Sequence, residues 1–335
     1  MGEADVYTKN YISQNNVFAD VFNFFVYGGK QVIHPESLSD ENVEEDAIVP
    51  AGEERAETAQ RYRDVLKSCV VKRGEDVSYV LLGIENQSHV HYAMPVRAML
   101  YDALQYDKQV KAVAASHRQK SGTRLTAGEF LSGFANVDRL IPVITLVVYF
   151  GCQRWDAPRS LHQMFAQTYD ERLMRFAQDY TINLIEPASL SEEDLATFAT
   201  DFGRVMEFLK YSNDKQKVRE LLSEGSPYES ISTSAALVLN SCAGIGIKIN
   251  QYEEKTNMCK AIQELKQEAV DVACKALKEM QQEAIEKAVE ETTVNSLLRT
   301  ARALMETLHL PAEQVLKAMK LSESEQESLR PMLQG

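Results

Sequence analysis

Hydrophobic residues in the first part of the chain follow two different periods. Those in residues 16–27 recur at helical spacing and stop at two glycines, which predicts an amphipathic helix. Residues 62–71 and 77–86 are rich in β-branched and aromatic side chains and are separated by a short charged segment, which predicts a β-hairpin. Residues 43–57 are acidic and contain a proline and a glycine, which predicts mostly loop.

A second helix and a further strand follow the hairpin. Residues 94–115 carry one hydrophobic stripe at helical spacing, and residues 141–150 form an apolar run with a proline near its start, as in a buried strand. A strand followed by a helix and another strand in the same sheet requires a crossover. The predicted fold class is therefore α/β (α+β), a mixed sheet flanked by helices.

The second half of the chain is rich in helix-forming residues. Residues 253–291 consist mainly of Glu, Lys, Gln and Ala and carry a modest apolar stripe at alternating spacings of four and three. The stripe consists of Met258, Ile262, Leu265, Ala269, Val272 and Ala276. It is compatible with a homotypic coiled coil and with a long helix packed on the protein's own body. Two short helices are predicted after it, at 311–320 and 322–329, the second opened by a Ser322/Glu325 capping box.

These patterns divide the chain into three predicted regions. The regions are a sheet-containing domain at 1–190, a helical extension packed on that core at 191–250, and a long helix or coiled coil with short C-terminal helices at 251–335.

The net charge of −13 is unevenly distributed along the sequence. Residues 1–54 contain 2 basic and 11 acidic residues, residues 55–124 contain 12 and 7, and residues 125–335 contain 22 and 31. One basic stretch therefore lies inside an acidic protein. It indicates a polyanion-binding region, with a lysine-rich solvated surface as the alternative.

The remaining composition excludes several classes of protein. Hydrophobic residues at 44% and charged residues at 25% are typical of a globular chain and exclude a fibrous or disordered one. The N-terminal residues lack the pattern of a signal peptide, and the longest apolar run is too short for a membrane helix. Five scattered cysteines without a CxxC motif indicate neither a disulfide framework nor a zinc site. We expect a cytoplasmic protein with no membrane partner.

Acidic and amide residues lie at the ends of the two predicted hairpin strands. Asp64 is near the start of one strand, and Glu85, Asn86 and Gln87 end the other, in a D-x20-ExQ pattern. Side chains alternate along a strand, so Glu85 and Gln87 point to one face and Asn86 to the other. Two such carboxylates can converge on Mg²⁺, which prefers oxygen ligands and completes its shell with a backbone carbonyl, water and phosphate oxygens. A metal held there can promote hydrolysis of a phosphodiester.

The D-x20-ExQ pattern alone also has a structural explanation. Asp64 would then form a strand-edge ion pair with Arg61 or Arg63, and Glu85 and Gln87 would be polar residues at a strand exit. The catalytic interpretation gains weight because both acids adjoin strongly apolar strands, where an unpaired carboxylate is costly, and lie in the basic segment.

Three segments carry a family resemblance: YRDVLKS, YVLLGIENQSHVHYAMPVRAMLYDALQYDKQV and LIPVITLVVYFG. They resemble the recombination-promoting nuclease and putative transposase family, a bacterial branch of the PD-(D/E)XK nucleases. The likeness extends from about residue 8 to about residue 290, and its most specific part is GIENQS followed by MPVRAMLYDALQY. It implies a restriction-endonuclease-like core, metal-dependent DNA endonuclease activity and a link to recombination or mobile DNA.

The resemblance also implies roles for individual residues. Asp64 and Glu85 match the two metal-binding acids, and the Asn86 backbone carbonyl matches a third ligand. Gln87 falls where the wider superfamily has lysine, and its amide can orient a water molecule but carries no positive charge. Asp20 lies on the leading helix, where the superfamily often has an acid facing the metal; a solvated helix surface is the alternative.

Basic and aromatic residues recur on the helix that follows the ExQ motif. Arg97, Tyr101, Lys108 and Lys111 are spaced to share one face and are candidate DNA contacts; partial burial of the tyrosine and simple solvation of the lysines is the alternative. An HxH pair at residues 89–91 has no third nitrogen or sulfur ligand nearby, so loop histidines are the default interpretation.

Together these observations predict a Mg²⁺-dependent DNA endonuclease, with Mn²⁺ or Ca²⁺ as alternative metals. DNA is the expected partner, and the C-terminal helices are expected to form a homodimer. The alternatives are a catalytically weak or inactive DNA-binding or protein-interaction module of the same fold, and a coiled-coil scaffold.

Overall fold

A computed structural model describes residues 2–41, 44–51, 55–62, 64–73, 76–119, 125–166 and 168–333. Side-chain positions are described for the same residues except 44–62 and 72–77. The chain forms two compact units, residues 1–263 and 264–335.

The first unit contains both helices and strands. The helices are α1 Glu3–Ile12, α2 Asn15–Tyr27, α3 Met94–Gln119, α4 Ala127–Ser132, α5 Glu171–Met174, α6 Glu192–Thr197, α7 Phe202–Tyr211, α8 Lys215–Leu221 and α9 Thr233–Cys242. The strands are β1 Leu38–Asp40, β2 Glu44–Ala51, β3 Arg55–Tyr62, β4 Val65–Arg73, β5 Asp76–Gln87, β6 Val143–Tyr149, β7 Asn183–Ile185, β8 Ile231–Ser232 and β9 Lys255–Thr256.

A five-stranded sheet in the order β1-β4-β5-β6-β7 organises this unit. The pairs β1–β4 and β4–β5 are antiparallel, whereas the pairs β5–β6 and β6–β7 are parallel. The sheet is therefore mixed, and the β4–β5 pair is the predicted hairpin, with register from Val65 opposite Ile84 to Arg73 opposite Asp76. Both the mixed sheet and the α/β class are confirmed.

Helices cover the sheet because its central strands are apolar on both faces. Met94 and Ala98 of α3 join Val147 and Tyr149 of β6 in one buried cluster, which fixes the start of α3 beside the ends of β5 and β6. Phe18 of α2 is also buried and lies below the amine of Lys67 on β4, at 5.6 Å from its ring centroid.

The acidic segment predicted as loop contains two strands. β2 pairs with β3 in an antiparallel ladder from Glu44 opposite Tyr62 to Ala51 opposite Arg55. The prediction from acidity was wrong because a ladder is built from backbone hydrogen bonds, and charged residues can occupy strands whose faces meet water. Residues 43 and 52–54 of the predicted loop, like Arg63, lie outside the described residues, and the Arg61 side chain is not described.

Residues 191–250 form helices α6 to α9 within the first unit, where α9 packs against α1. A long helix, α10 Met258–Leu308, begins in this unit and continues into the second. Met258 and Ile262 are buried, whereas Val272 on the predicted stripe is 70% exposed. That part of the stripe is therefore uncovered within the chain.

The second unit completes the chain with α11 Ala312–Ala318 and α12 Glu323–Leu333. Leu316 and Leu329 are buried there, and Arg302 of α10 donates to the Met332 carbonyl at 3.1 Å. The predicted capping box is present, since Glu325 accepts from the Ser322 amide at 2.8 Å. Across the described residues, no helix combines the length and the apolar character needed to cross a bilayer.

Candidate functional site

A cleft of about 320 Å³ lies at the end of β5, where the strand passes into the segment leading to α3. Because Val65 pairs with Ile84, the register continued by one residue places Asp64 opposite Glu85. The hairpin thus brings the two predicted acids together at one strand end. The cleft is lined by Asp5, Asp64, Asn86, Gln87, Ser88, His89, Val90, His91 and Arg97.

Asp64 is held by the backbone of the neighbouring strand. Its Oδ2 accepts a hydrogen bond from the Asn86 amide at 2.9 Å. Burial raises the pKa of Asp64 above its usual value, and the negative charge of Asp5 adds to this rise. The hydrogen bond from Asn86 and the positive charges of Arg97 and Lys9 act to lower the pKa. The position therefore disfavours an isolated negative charge and favours a nearby cation.

Glu85 is completely buried and has a basic partner. Its Oε2 lies 3.2 Å from Nη2 of Arg97, on the first turns of α3. Gln87 follows on the same face of β5 and lines the cleft with its uncharged amide. Glu85 and Gln87 therefore share one face of β5, and of these two Gln87 is the one that lines the cleft.

Arg97 is fixed between Glu85 and the cleft. Its guanidinium carbon lies 5.6 Å from the ring centroid of Tyr101, one helical turn further along α3. Burial acts to lower the pKa of Arg97, but the negative charges of Glu85 and Asp64 and a hydrogen bond with Tyr101 raise it above its usual value. The guanidinium therefore stays protonated beside both acids.

Asn86 points to the opposite side of β5 and binds α1. Its Nδ2 donates to Oγ1 of Thr8 at 2.6 Å, and that hydroxyl donates to the Ala4 carbonyl at 2.6 Å. This connection sets α1 against the sheet and brings Asp5 to the cleft. Oδ1 of Asp5 accepts from the Ser88 hydroxyl at 2.5 Å, a bond that lowers the pKa of Asp5.

Asp5 is a site residue that the sequence analysis missed. The N-terminal residues are polar and mixed, yet Thr8, Tyr11 and Ile12 are buried at helical spacing. An acid three residues before Thr8 and seven before Ile12, on the inner side of that helix, was the available indication.

Asp20 lies away from the cleft lining. It is 2% exposed, and its carboxylate accepts from the Ala199 amide at 3.0 Å, the Thr200 amide at 2.8 Å and the Thr200 hydroxyl at 2.6 Å. These bonds make Asp20 the anchor of the segment before α7. The acid that a leading helix brings to the cleft is therefore Asp5.

The four candidate DNA contacts on α3 are in different environments. Arg97 lines the cleft, whereas Tyr101 is 3% exposed and buried under the guanidinium, so it is not a surface contact. Lys108 and Lys111 are exposed, and Lys111 pairs with Asp107 at 2.6 Å. Of these four, the structure brings Arg97 alone to the cleft lining.

Both histidines of the HxH pair line the cleft. His89 Nδ1 is 3.0 Å from the Ser88 hydroxyl, and His91 Nδ1 is buried without a hydrogen-bond partner. Burial, together with the nearby charge of Arg97, lowers the pKa of His91 and keeps it neutral near pH 7.

The residues that line the cleft include oxygen donors of the kind that hard divalent cations prefer. No group of three His, Cys, Asp or Glu side chains in the described part of the chain has the arrangement of a metal site. Mg²⁺ needs only one or two protein carboxylates, because water and substrate oxygens complete its shell. The candidate ligands are the carboxylate of Asp64, which lines the cleft, the buried carboxylate of Glu85 on the paired strand, and the backbone carbonyl of Asn86.

A comparison with known families gives independent information about the chain. Residues 55–224, about half of the sequence, match the family described as "Putative transposase, YhgA-like". The chain belongs to this family. Asp64, Glu85, Gln87 and Arg97 lie inside the region that defines membership, and Asp5 lies outside it.

Membership of this transposase family connects the chain with mobile DNA and with a DNA-related activity. No curated protein and no solved structure matches the chain.

Proposed function

We propose that this family member is a metal-dependent DNA endonuclease that hydrolyses phosphodiester bonds with Mg²⁺. Asp64 and Glu85 hold the metal with the Asn86 backbone carbonyl, and Gln87 orients the attacking water. The observation that carries the proposal is the meeting of Asp64 and Glu85 at one strand end, where the Asn86 amide binds Asp64 at 2.9 Å.

The protein groups act by position and charge. A bound Mg²⁺ supplies polarisation of the phosphate and neutralisation of the charge that develops on it. The amide of Gln87 can accept from and donate to water, which fixes the line of attack on phosphorus. Water would add to phosphorus and lose a proton to solvent, while the bond to the leaving oxygen breaks and that oxygen takes a proton from solvent, so that one DNA strand is cut.

We further propose that the fold is that of a PD-(D/E)XK nuclease with a variant ExQ motif. A mixed sheet with an antiparallel hairpin, a helical crossover and acids at the strand ends supports this assignment. The neutral Gln87 also supports an alternative, a DNA-binding module of the same fold that has lost turnover. Salt-sensitive DNA binding without a metal-dependent product would identify that module.

Plasmid cleavage tests the endonuclease proposal. Supercoiled DNA is incubated with Mg²⁺ or Mn²⁺ and either the wild type, Glu85→Ala or Asp64→Asn. We expect nicking by the wild type and a loss of about 100-fold or more in both variants, because the metal's ligands are removed.

Asp107→Asn is the matched control, since Asp107 is an acid on α3 that pairs with Lys111 and is absent from the cleft lining. Circular dichroism confirms that each variant is folded. Equal nicking by the wild type and Glu85→Ala would overturn the site assignment.

We also propose that the chain forms a homodimer through α10. Apolar side chains remain 53–70% exposed along this helix: Val270, Val272, Leu277, Met280, Ile285 and Val289. Residues 270, 277 and 280 share one face by their spacings of seven and three, as in a coiled-coil seam. A second copy is the occupant that would cover this face.

A further inference from the structure

Arg97 connects a buried acid with the open cleft. Its side chain is 30% exposed, its Nη2 is 3.2 Å from the buried Glu85 carboxylate, and it lines the cleft together with Asp64 and Gln87. Its Nε is buried and has no hydrogen-bond partner. The guanidinium group therefore pairs with Glu85 and hydrogen-bonds Tyr101, while the exposed part of the Arg97 side chain lines the cleft.

Without Arg97, the residues at and beside the cleft would carry an excess of negative charge. Asp5, Asp64 and Glu85 bring three carboxylates to the neighbourhood, and Gln87 contributes no charge. Arg97 acts electrostatically on both Asp64 and Glu85. A phosphodiester entering among these acids needs positive charge to offset repulsion, and Arg97 is a cation lining the same cleft.

The orientation of Arg97 is fixed by its surroundings. Tyr101 lies buried below the guanidinium, with 5.6 Å from its ring centroid to the guanidinium carbon, and the neighbouring Met94 and Ala98 are buried in the core. The fork is therefore pre-organised, which reduces the entropy lost when it binds an oxyanion.

We propose that Arg97 is the phosphate-positioning residue of the site: it holds Glu85 through one nitrogen and donates from its remaining N–H groups to a non-bridging oxygen of the scissile phosphate. In this way it supplies the positive charge that Gln87 lacks. The inference rests on the proposed nuclease function.

Removing this charge should change metal and DNA binding in opposite directions. In Arg97→Gln, the acids lose a competing cation, so we expect Mn²⁺ to bind several-fold more tightly in calorimetry. DNA binding in Ca²⁺ should weaken, and the slope of log K against log salt should fall by about 0.7 to 0.9 for one lost phosphate contact. Cleavage in Mg²⁺ should fall by about 100-fold or more.

Arg97→Lys separates charge from geometry. Lysine keeps the positive charge but lacks the planar fork, so the salt slope and Mn²⁺ affinity should stay near wild type while cleavage falls partly. Arg118→Gln, on the last turn of the same helix, is the control and should match the wild type in all three measurements.

The outcomes distinguish this inference from the proposed function. Absence of metal-dependent cleavage by the wild type would refute the nuclease proposal. With an active wild type, the inference is overturned if Arg97→Gln leaves the salt slope unchanged, or if it weakens Mn²⁺ binding as a damaged fold would. If Arg97→Gln does not fold, cleavage by Arg97→Lys provides the test. Full cleavage activity of Arg97→Lys would show that the planar guanidinium is not needed and would overturn the inference.

Discussion

The carboxylate of Asp64 occupies a position where its negative charge lowers the stability of the fold. Burial raises its pKa above the unfolded value, more than the Asn86 amide and the nearby cations lower it. An acid with a raised folded-state pKa stabilises the native state only at low pH, and this contribution is lost as pH rises through the folded pKa. The ionised carboxylate of Asp64 therefore lowers the free energy of unfolding at neutral pH.

Asp64→Asn should accordingly be more stable than the wild type at pH 7 in metal-free buffer. The advantage should shrink as pH falls through the raised pKa and vanish below the usual value of 3.8, where both the folded and the unfolded wild type are protonated at this group. Urea unfolding at several pH values measures the difference. A variant that is less stable than the wild type at pH 7 would contradict this account.

Sequence alone identified the residues whose position follows from strand periodicity. Asp64, Glu85 and Gln87 lie next to apolar strands in a hairpin, so their proximity could be predicted from register. Asp5 could not, because it reaches the cleft through contacts of α1 that are distant in sequence. The helical spacing of Asp5 and Thr8 indicates that they share the inner face of α1, but it does not indicate which part of the sheet that face contacts.

A buried hydrogen bond joins helix α1 to the sheet. Asn86 donates to the Thr8 hydroxyl at 2.6 Å in a buried setting, and this bond connects residues far apart in the chain. A buried amide that loses its acceptor costs about 1–3 kcal/mol. The placement of Asp5 is linked to the same contact, since Asp5 and Thr8 are on one helix.

Thr8→Val should therefore lower the free energy of unfolding by about 1–3 kcal/mol, since it keeps the shape and removes the acceptor. Chemical denaturation measures the change. Thr300→Val is the control, because Thr300 is exposed on α10 and bonds only within its own helix, so its effect should stay within about 0.5 kcal/mol. Equal effects of the two substitutions would show that the buried contact contributes nothing.

The elements with strong periodicity were predicted well, and those stabilised by pairing were not. The long apolar strands and α3 follow from their residues, whereas β2 and β3 lack an alternating apolar pattern and form by backbone pairing with each other. Local composition does not encode the presence of a partner strand.

The whole chain leaves an apolar face of α10 uncovered. Leu277 and Met280 are 55% and 59% exposed on a helix of 51 residues. Exposed apolar surface of this kind is typical of an interface. The sequence predicted the helix itself, but the choice between self-packing and association depended on burial.

The double variant Leu277→Glu/Met280→Glu should convert a dimeric wild type into a monomer, because like charges would face each other across the seam. Light scattering on the full chain measures the mass. Glu279→Gln is the control and should remain dimeric, since Glu279 is an exposed polar position between the two. A monomeric wild type would refute the association.

The bond between Asp64 and the Asn86 amide also bears on how the site can evolve. Its donor belongs to the main chain, so every residue except proline at position 86 retains it. A substitution at position 86 can therefore remove the side-chain hydrogen bond to α1 while the backbone hydrogen bond to Asp64 remains. Substitutions at this position during evolution would therefore change the position of Asp5, whereas strand pairing would keep Asp64 opposite Glu85.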